Sequence, residues 1–399
     1  MTTPTPRLPI DVDYLRQQLQ ALLSIPSPTG YTDQVVRHVC QELERLHLPY
    51  VLTRRGAIRA RLAGERAEGA RAIVSHVDTL GAQVKALKPN GRLELVPIGS
   101  WSARFAEGAR CTIFCEKGSY RGTVLPLKAS GHTFADEIDS QPSGWPHVEL
   151  RVDAFAMDAP ALERLGIEVG DTVAIDPQPE FLDNGFIVSR HLDNKAGVAL
   201  MLAAMRALQD APPPPVDVHW LFTISEEVGH GASSVLPADV ASMVAVDNGT
   251  SAPGQNSSEF GVTIAAADMT GPFDFHLTRK LAALCRANDI RYRKDVFRYY
   301  RSDSASAIEA GADVRTALVT FGVDASHGYE RIHMHALRSV AELLTAHALS
   351  KVEIPRDYQP FGSLQGFTRQ DAPPAQQRPF DEEDLPPDYP LPEADGSAA

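Results

Sequence analysis

Hydrophobic residues near the start of the chain recur at the spacing of amphipathic helices. This periodicity predicts helices over residues 12–23 and 33–46, separated by the turn-rich segment SIPSPTG. Further along, short apolar runs each lead into a loop or a helix, as buried strands of a parallel sheet do. The four clearest runs are AIVSH (72–76), VHWLFTI (218–224), MVAVD (243–247) and TALVTF (316–321). Helical spacing at 195–208, 274–286 and 335–350 supplies further helices. We therefore expect an α/β fold with a largely parallel central sheet and helices on both faces.

The middle of the chain has a different pattern, from about Ala86 to Leu182. Short apolar stretches alternate with Gly-rich turns, as in CTIFCEKGSYRGTVLPL, with one short helix at APALERLG. This pattern predicts a small β-rich domain inserted between two parts of the α/β domain. We place the catalytic α/β domain at 1–85 and 186–350, and a dimerisation or lid domain at 86–185.

Composition indicates a soluble globular enzyme. The chain has 399 residues, 43% hydrophobic and 22% charged, and lacks the run of roughly 18 apolar residues that a membrane span requires. The N-terminus shows no secretory signal, so we expect a cytoplasmic protein without a membrane partner. Four cysteines in so long a chain indicate buried thiols rather than a disulfide framework.

The chain is acidic, with a formal net charge of −13, which argues against a nucleic-acid partner because such binding needs a basic surface. Much of this charge lies at the C-terminus. Proline and acidic residues dominate there and aliphatic residues are scarce. We expect residues 351–399 to form a disordered tail, because they cannot bury enough apolar surface to offset their ordering entropy.

Residue types that bind metals follow the ends of the predicted strands or precede a predicted helix. In open α/β sheets this edge is where ligands bind. Each residue alone has an ordinary explanation, such as a helix cap or a turn, but their convergence on one edge favours a metal site. The candidates are His76, Asp78, Asp193, Glu226, Glu227, Asp247 and His327.

The charge and chemistry of these candidates indicate two metal ions. Two divalent cations would balance Asp193, Glu227, Asp247 and one bridging hydroxide. A mixture of imidazole and carboxylate ligands suits Zn, with Co or Mn as alternatives, better than Mg or Ca. We therefore expect a two-metal hydrolytic centre with metals roughly 3.5 to 4 Å apart.

The ordered motifs SHVDTLG, HLDNKAG, ISEEVGHG, VAVDNGT and ASHGYER resemble those of the M42 family of dinuclear metalloaminopeptidases. The resemblance extends from Val12 to about Ser350 and includes the inserted domain. It implies that one metal is bound by His76, Asp193 and Asp247, and the other by Asp193, Glu227 and His327.

The resemblance also implies roles for three residues. Asp193 would bridge the metals, Glu226 would be the general base, and Asp78 would orient His76. Alternation along an extended segment agrees that Glu226 and Glu227 serve different partners. Asp78 lies two residues after His76, on the same side of an extended chain, where it can accept the second imidazole N–H.

Several assignments stay open. His191 and His230 compete as ligands because each lies close in sequence to a candidate. His333 and His335 are alternatives to His327, although they start the last predicted helix. The segment YRSDSASA resembles a short loop of the family, in which Arg301 and Asp303 would shape a substrate pocket.

The resemblance implies release of N-terminal residues from short peptides by a homo-oligomer that is built from dimers, up to a dodecamer. One alternative is an M20-type N-acyl amino acid deacylase or carboxypeptidase, which uses nearly the same ligands. Another is a hydrolase of a dipeptide derivative, because SIPSPTGYTDQ and ASHGYER resemble M42-like proteins linked to the osmoprotectant N-acetylglutaminylglutamine amide. A third is a metal-binding homologue without activity.

Overall fold

A computed structural model describes residues 7–359 and 361–370. The helices are α1 (Val12–Ser24), α2 (Asp33–Arg45), α3 (Gly131–Phe134), α4 (Glu137–Ser140), α5 (Ala159–Leu165), α6 (Leu192–Ala207), α7 (Phe275–Ala287), α8 (Asp303–Glu309) and α9 (Met334–Leu349). The strands are β1 (Tyr50–Leu52), β2 (Ile58–Leu62), β3 (Ala70–His76), β4 (Gly81–Leu87), β5 (Arg92–Ile98), β6 (Arg110–Cys115), β7 (Gly118–Pro126), β8 (Val148–Val152), β9 (Thr172–Ile175), β10 (Glu180–Phe181), β11 (Phe186–Ser189), β12 (Val218–Thr223), β13 (Val240–Thr250), β14 (Val262–Asp268), β15 (Gly271–Pro272), β16 (Tyr292–Val296), β17 (Arg315–Val323) and β18 (Glu330–His333).

The central sheet has the strand order β1-β2-β12-β3-β13-β17-β14-β15, and β16 pairs with β14. Its four middle strands, β12, β3, β13 and β17, are parallel and are the four strands that the apolar runs predict. At the edges, β2 is antiparallel to β12 and β14 is antiparallel to β17. The α/β fold class is confirmed, and the parallel arrangement is limited to the middle of the sheet.

Helices cover both faces of this sheet. Ser75 faces α6, because a Cβ added at Gly197 of that helix would lie 2.6 Å from the Ser75 hydroxyl. The next residue, His76, points to the opposite face, as does Thr223, its register partner. Thr223 donates a hydrogen bond to Asp303 at the start of α8. Helices α6 and α8 therefore lie on opposite faces.

Helix α6 is buried on nearly all sides. Its residues from Leu192 to Met205 are buried, because the helix lies against β3 and β13 and is covered by α1 and α9. Apolar side chains of the sheet and of these three helices form one continuous core. This core fixes the start of α6, which carries one of the candidate ligands.

The middle of the chain forms a closed barrel with the strand order β4-β5-β8-β7-β6-β9 and its own apolar core. The barrel begins at Gly81 and ends at Ile175, so both ends come before the boundaries expected at 86 and 185. The returning chain, β10 and β11, pairs with β18 in a separate three-stranded sheet. The sequence pattern does not separate this small sheet from the barrel.

The segment after α9 packs on the α/β domain as far as it is described. Arg315 donates to Asp357 at 2.9 Å, and Arg71 donates to the carbonyl of Ser350 at 2.7 Å. The start of the expected disordered tail is therefore ordered, and residues 371–399 lie outside the described residues. Within the described ranges, no helix has the length and apolarity that a membrane crossing needs.

Candidate metal centre

Sheet topology brings the candidate ligands to one edge. His76 is the last residue of β3, and Glu226 and Glu227 follow the end of β12, which pairs in register with β3. Asp247 lies in β13, the neighbour of β3 on its other side. His327 follows β17, the next strand along. Because these strands are parallel, their carboxyl ends meet, and the start of α6 adds Asp193.

Two groups of ligand atoms share Asp193. The first consists of His76, Asp193 and Asp247, the second of Asp193, Glu227 and His327, and within each group the atoms lie within 4.8 Å of one another. Asp193 Oδ1 lies 3.2 Å from His76 Nε2, and Asp193 Oδ2 lies 3.2 Å from His327 Nε2. The two oxygens of one carboxylate thus face the two groups, as a bridging ligand requires.

Glu226 and Glu227 point to different groups. Glu226 Oε2 lies 3.6 Å from His76 Nε2, whereas Glu227 Oε2 lies 3.7 Å from His327 Nε2. Both side chains line a cavity of about 1120 Å³ that also exposes Asp193 and Asp247. Glu226 therefore lies beside the first ligand group and faces the cavity.

Asp78 supports the loop that carries both glutamates. Its Oδ1 accepts the N–H of Glu226 at 3.2 Å, and its Oδ2 accepts the N–H of Glu227 at 3.4 Å and the hydroxyl of Thr29 at 2.6 Å. His76 Nδ1 lies 3.0 Å from the Asp78 carbonyl and 3.5 Å from its carboxylate. The imidazole is thus oriented mainly by the Asp78 carbonyl, and the carboxylate mainly positions the glutamate loop.

The residues fit bound cations. Asp193 Oδ1 and Glu227 Oε1 are buried and lack a hydrogen-bond donor among the described residues. Buried carboxylate oxygens without donors are costly unless a cation neutralises them. The mixed imidazole and carboxylate set suits Zn, Co or Mn.

Electrostatics at the site lead to the same conclusion. Burial raises the pKa of Glu226 and of Glu227 well above the usual range, and neighbouring carboxylates raise both further. Burial lowers the pKa of His76, but the nearby carboxylates of Asp193, Asp247 and Asp78 outweigh it, so that the pKa is raised. Cations among these groups would offset the repulsion between the carboxylates.

Glu330 was missed by the sequence reasoning. It is buried, its Oε2 accepts the N–H of Asp193 at 3.1 Å, and its Oε1 accepts the N–H of His327 at 3.0 Å. Burial, followed by the charge of Asp193, raises its pKa to about 8. Glu330 starts β18, and only the pairing of β18 with β11 brings it to the start of α6.

Two further contacts to the ligands come from residues that carry no metal-site signal in the sequence. Asn248 donates its side-chain N–H to Asp193 Oδ2. His327 Nδ1 lies 2.8 Å from the carbonyl of Ser100, which follows the barrel strand β5. The inserted barrel therefore takes part in holding one of the candidate ligands.

The competing histidines lie outside both ligand groups. His191 Nε2 lies 3.0 Å from the Ile175 carbonyl, and burial lowers its pKa to about 4. His230 is exposed. His333 caps α9 by accepting the N–H of His335, and its Nε2 lies 3.0 Å from the Asn184 carbonyl.

The two residues expected to shape a substrate pocket have different positions. Arg301 lines the cavity above the ligands and donates to Glu309 at 2.7 Å. Asp303 does not line it; its carboxylate is buried and accepts the Thr223 hydroxyl at 2.8 Å. A Cβ added at Gly231 would meet Asp303 Oδ1 at 1.7 Å, so Asp303 packs beneath the glutamate loop.

A third cluster of acidic and histidine side chains has an ordinary explanation. It contains Asp217 just before β12, His219 in β12 and Asp239 just before β13. Asp217 accepts from Arg61 at 2.7 Å and from the Gly64 N–H at 2.8 Å, and His219 pairs with Asp239 at 2.9 Å. Each of these side chains therefore already has a partner within the protein.

Comparison with known proteins identifies the family. The family model described as M42 glutamyl aminopeptidase matches residues 56–343. The protein named "Putative aminopeptidase YhfE" of Bacillus subtilis (strain 168) is 37% identical over 328 residues, which cover 82% of this chain and 94% of that protein.

Solved structures have the same fold. Aminopeptidase APDkam598 from Desulfurococcus kamchatkensis has a TM-score of 0.76 at 22% identity, over 88% of this chain and 98% of its own. The TET1 peptidase of Pyrococcus horikoshii, which can assemble into a tetrahedron or a large octahedral shell, has a TM-score of 0.74 at 20% identity, over 84% of this chain and 100% of its own. The chain belongs to the M42 family of dinuclear metal peptidases and is a metal-dependent aminopeptidase.

Proposed function

We propose that this aminopeptidase releases the N-terminal residue of short peptides at the centre formed by His76, Asp193, Glu227, Asp247 and His327. The observation that carries the proposal is the position of Asp193, whose two carboxylate oxygens each lie 3.2 Å from a histidine of a different ligand group. Zinc is the metal that this ligand set favours, with Co or Mn as alternatives. When bound, the two cations lower the pKa of a water and polarise the scissile carbonyl.

Glu226 is the general base of this proposal. Its carboxylate accepts a proton from the attacking water and returns it to the leaving amine, so the peptide bond is replaced by a carboxylate and a free amino group. Burial and the neighbouring carboxylates favour uptake of the proton by Glu226. Asp78 accepts the backbone N–H of Glu226 and so holds this residue in position.

The family match favours a substrate with a free α-amino group, because the family model is that of a glutamyl aminopeptidase and the Bacillus subtilis relative is named a putative aminopeptidase. Four carboxylates, those of Asp193, Glu226, Glu227 and Asp247, line the floor of the cavity, and two divalent cations would balance their charge. The deacylase or carboxypeptidase alternative is therefore not favoured.

Isosteric substitution of the base tests this proposal. Glu226→Gln keeps the size of the side chain but removes the proton acceptor, so we expect kcat to fall about 10² to 10⁴-fold while the metal content is unchanged. Glu309→Gln, in the same cavity but paired with Arg301, is the matched control and should keep most of the activity. Initial rates on alanine p-nitroanilide and on its N-acetylated form measure both points. A near-normal rate in Glu226→Gln, or faster cleavage of the acetylated compound, would contradict the proposal.

The assembly is proposed by analogy with the TET1 peptidase of Pyrococcus horikoshii, which can form a tetrahedron. We expect a homo-oligomer built from dimers, up to a dodecamer, with the inserted barrel as the dimerisation or lid domain. Light scattering on the purified chain measures its mass. A monomer would contradict this expectation.

A further inference from the structure

A second cavity, of about 730 Å³, lies at the opposite edge of the central sheet from the metal ligands. Arg71 near the start of β3 and Ser242 near the start of β13 line it, whereas His76 and Asp247 lie further along the same strands. At about 3.3 Å per residue, the five residues from Arg71 to His76 place the two sites roughly 16 Å apart. A ligand in this cavity would not touch the metal centre.

The lining of the cavity is strongly basic, although the protein as a whole is acidic. Two carboxylates, those of Glu353 and Asp357, also line the cavity. Asp357 forms an ion pair with Arg315, whereas Glu353 does not take part in this pair. The basic side chains come from α7, β3, β16 and the segment after α9. They are Arg71, Arg279, Lys280, Arg286, Lys294 and Arg369.

Polar atoms on the wall of the cavity are left without partners. His347 is 1% exposed, and both of its ring nitrogens lack a hydrogen-bond partner among the described residues. The Nε2 atom of His276, which also lines the cavity, is buried and equally lacks one within the described ranges. Buried polar atoms are normally paired, so these imidazoles have hydrogen-bonding capacity that a ligand or water in the cavity can use.

The innermost cations are fixed by the backbone. Arg71 is 3% exposed and donates to the carbonyls of His347, Ala348 and Ser350 at the end of α9. Lys280 donates one hydrogen bond to the Lys351 carbonyl at 2.6 Å. An ammonium has three donors, so Lys280 has two more to offer.

The basic groups lie close enough to repel one another, although Glu353 and Asp357 offset part of the repulsion. Burial, followed by the charge of Arg71, lowers the pKa of Lys280 to about 7. Burial and the charges of Arg71 and Lys280 hold the pKa of His347 well below its usual value. A bound anion would relieve this repulsion and supply acceptors for the unused donors.

We propose that this cavity binds a small molecule with two or more anionic phosphate or carboxylate groups. Its volume is that of a small-ligand site rather than of a single ion. The six basic side chains surround it from different elements, so that several anionic groups of one ligand would be contacted together. The proposal concerns a site separate from the aminopeptidase centre and does not rest on the function of that centre.

Calorimetric titration of the full-length, metal-loaded protein at low ionic strength tests the proposal, with pyrophosphate and tricarballylate as probes. At least one probe should bind, and Lys280→Met and Lys294→Met should each weaken that binding about tenfold, as expected for the loss of a charge-assisted hydrogen bond. Lys85→Met is the matched control, because Lys85 is exposed on the barrel and carries the same charge. A probe that binds at the metal centre would keep its affinity in all three variants.

Two results would overturn the proposal. One is the absence of binding by both probes, or equal affinities in wild type, Lys280→Met and Lys294→Met. The other is binding that appears only when acidic residues of the chain's own C-terminal segment are neutralised by Asp381→Asn, Glu382→Gln, Glu383→Gln and Asp384→Asn. That result would show that the chain itself, rather than a free ligand, supplies the anionic groups.

Discussion

Substitution of Asp78 by asparagine tests how the glutamate loop is held. The carboxylate accepts three hydrogen bonds, from the N–H groups of Glu226 and Glu227 and from the hydroxyl of Thr29. Asparagine has the same shape, but its amide nitrogen cannot accept. Whichever way the amide is turned, at least one backbone N–H of the loop then faces another donor.

The cost follows from that unpaired donor. A buried N–H that loses its acceptor costs about 1–3 kcal/mol, which corresponds to a factor of about 5 to 150. Because the affected N–H groups belong to the base and to a metal ligand, we expect kcat to fall about 10 to 100-fold with a smaller change in KM. Steady-state kinetics on an aminoacyl anilide, with metal content and thermal melting measured in parallel, gives the comparison.

Thr29→Val is the matched control. It removes one donor to the same carboxylate but leaves both N–H contacts of the loop in place, so we expect less than about a tenfold loss of kcat. If Asp78→Asn keeps kcat within about twofold of wild type with full metal content, the carboxylate does not position the loop. An Asp78→Asn protein that is simply unfolded would be recognised from its melting curve.

Three more substitutions test the packing and electrostatics around the two sites. Glu330→Ala leaves the buried N–H groups of Asp193 and His327 without acceptors. Metal affinity, measured by competition with a chelator, should therefore fall about 10 to 100-fold. An unchanged metal affinity would refute this role of Glu330. Gly231→Ala places a Cβ 1.7 Å from Asp303 Oδ1. The free energy of unfolding should therefore fall by about 1–3 kcal/mol, which lowers the midpoint of denaturant unfolding. An unchanged midpoint would contradict this packing. The pKa of Lys280 is about 7 in the folded chain, compared with its ordinary value of 10.5. Between these two pH values the unfolded chain binds more protons than the folded chain. The free energy of unfolding of the wild type should therefore rise with pH in this range. In urea unfolding between pH 7 and 10, Lys280→Met should remove the part of this rise that Lys280 causes. An equal dependence of the unfolding free energy on pH in both proteins would refute the burial of this charge.

Local sequence pattern was sufficient for the middle of the sheet and for the candidate ligands. Each ligand lies at or just beyond the end of an apolar run or at the start of a helix, and parallel strands bring such positions together whatever the rest of the chain does. The outermost strands β1 and β15 are short and not buried, so their apolar signal is weak. β1, for example, has only three residues, none of them buried.

Contacts between distant segments could not be read from the pattern. Glu330 reaches Asp193 because β18 pairs with β11, and Ser100 reaches His327 because the barrel folds back over the sheet edge. No periodicity in the sequence encodes either approach. The basic cavity was missed for the same reason, because its cations are spread from Arg71 to Arg369 in an acidic chain.

Metal stoichiometry coupled to activity tests the central claim most directly. The protein is purified, stripped with a chelator and titrated with Zn, Co or Mn, while bound metal per subunit and hydrolysis of an aminoacyl anilide are measured together. The two ligand groups that share Asp193 predict two bound ions per subunit, loss of activity on stripping and its return as the second ion binds. Full aminopeptidase activity in the stripped protein would contradict the account. So would an Asp193→Ala variant that binds no metal ion and still has the activity of the wild type.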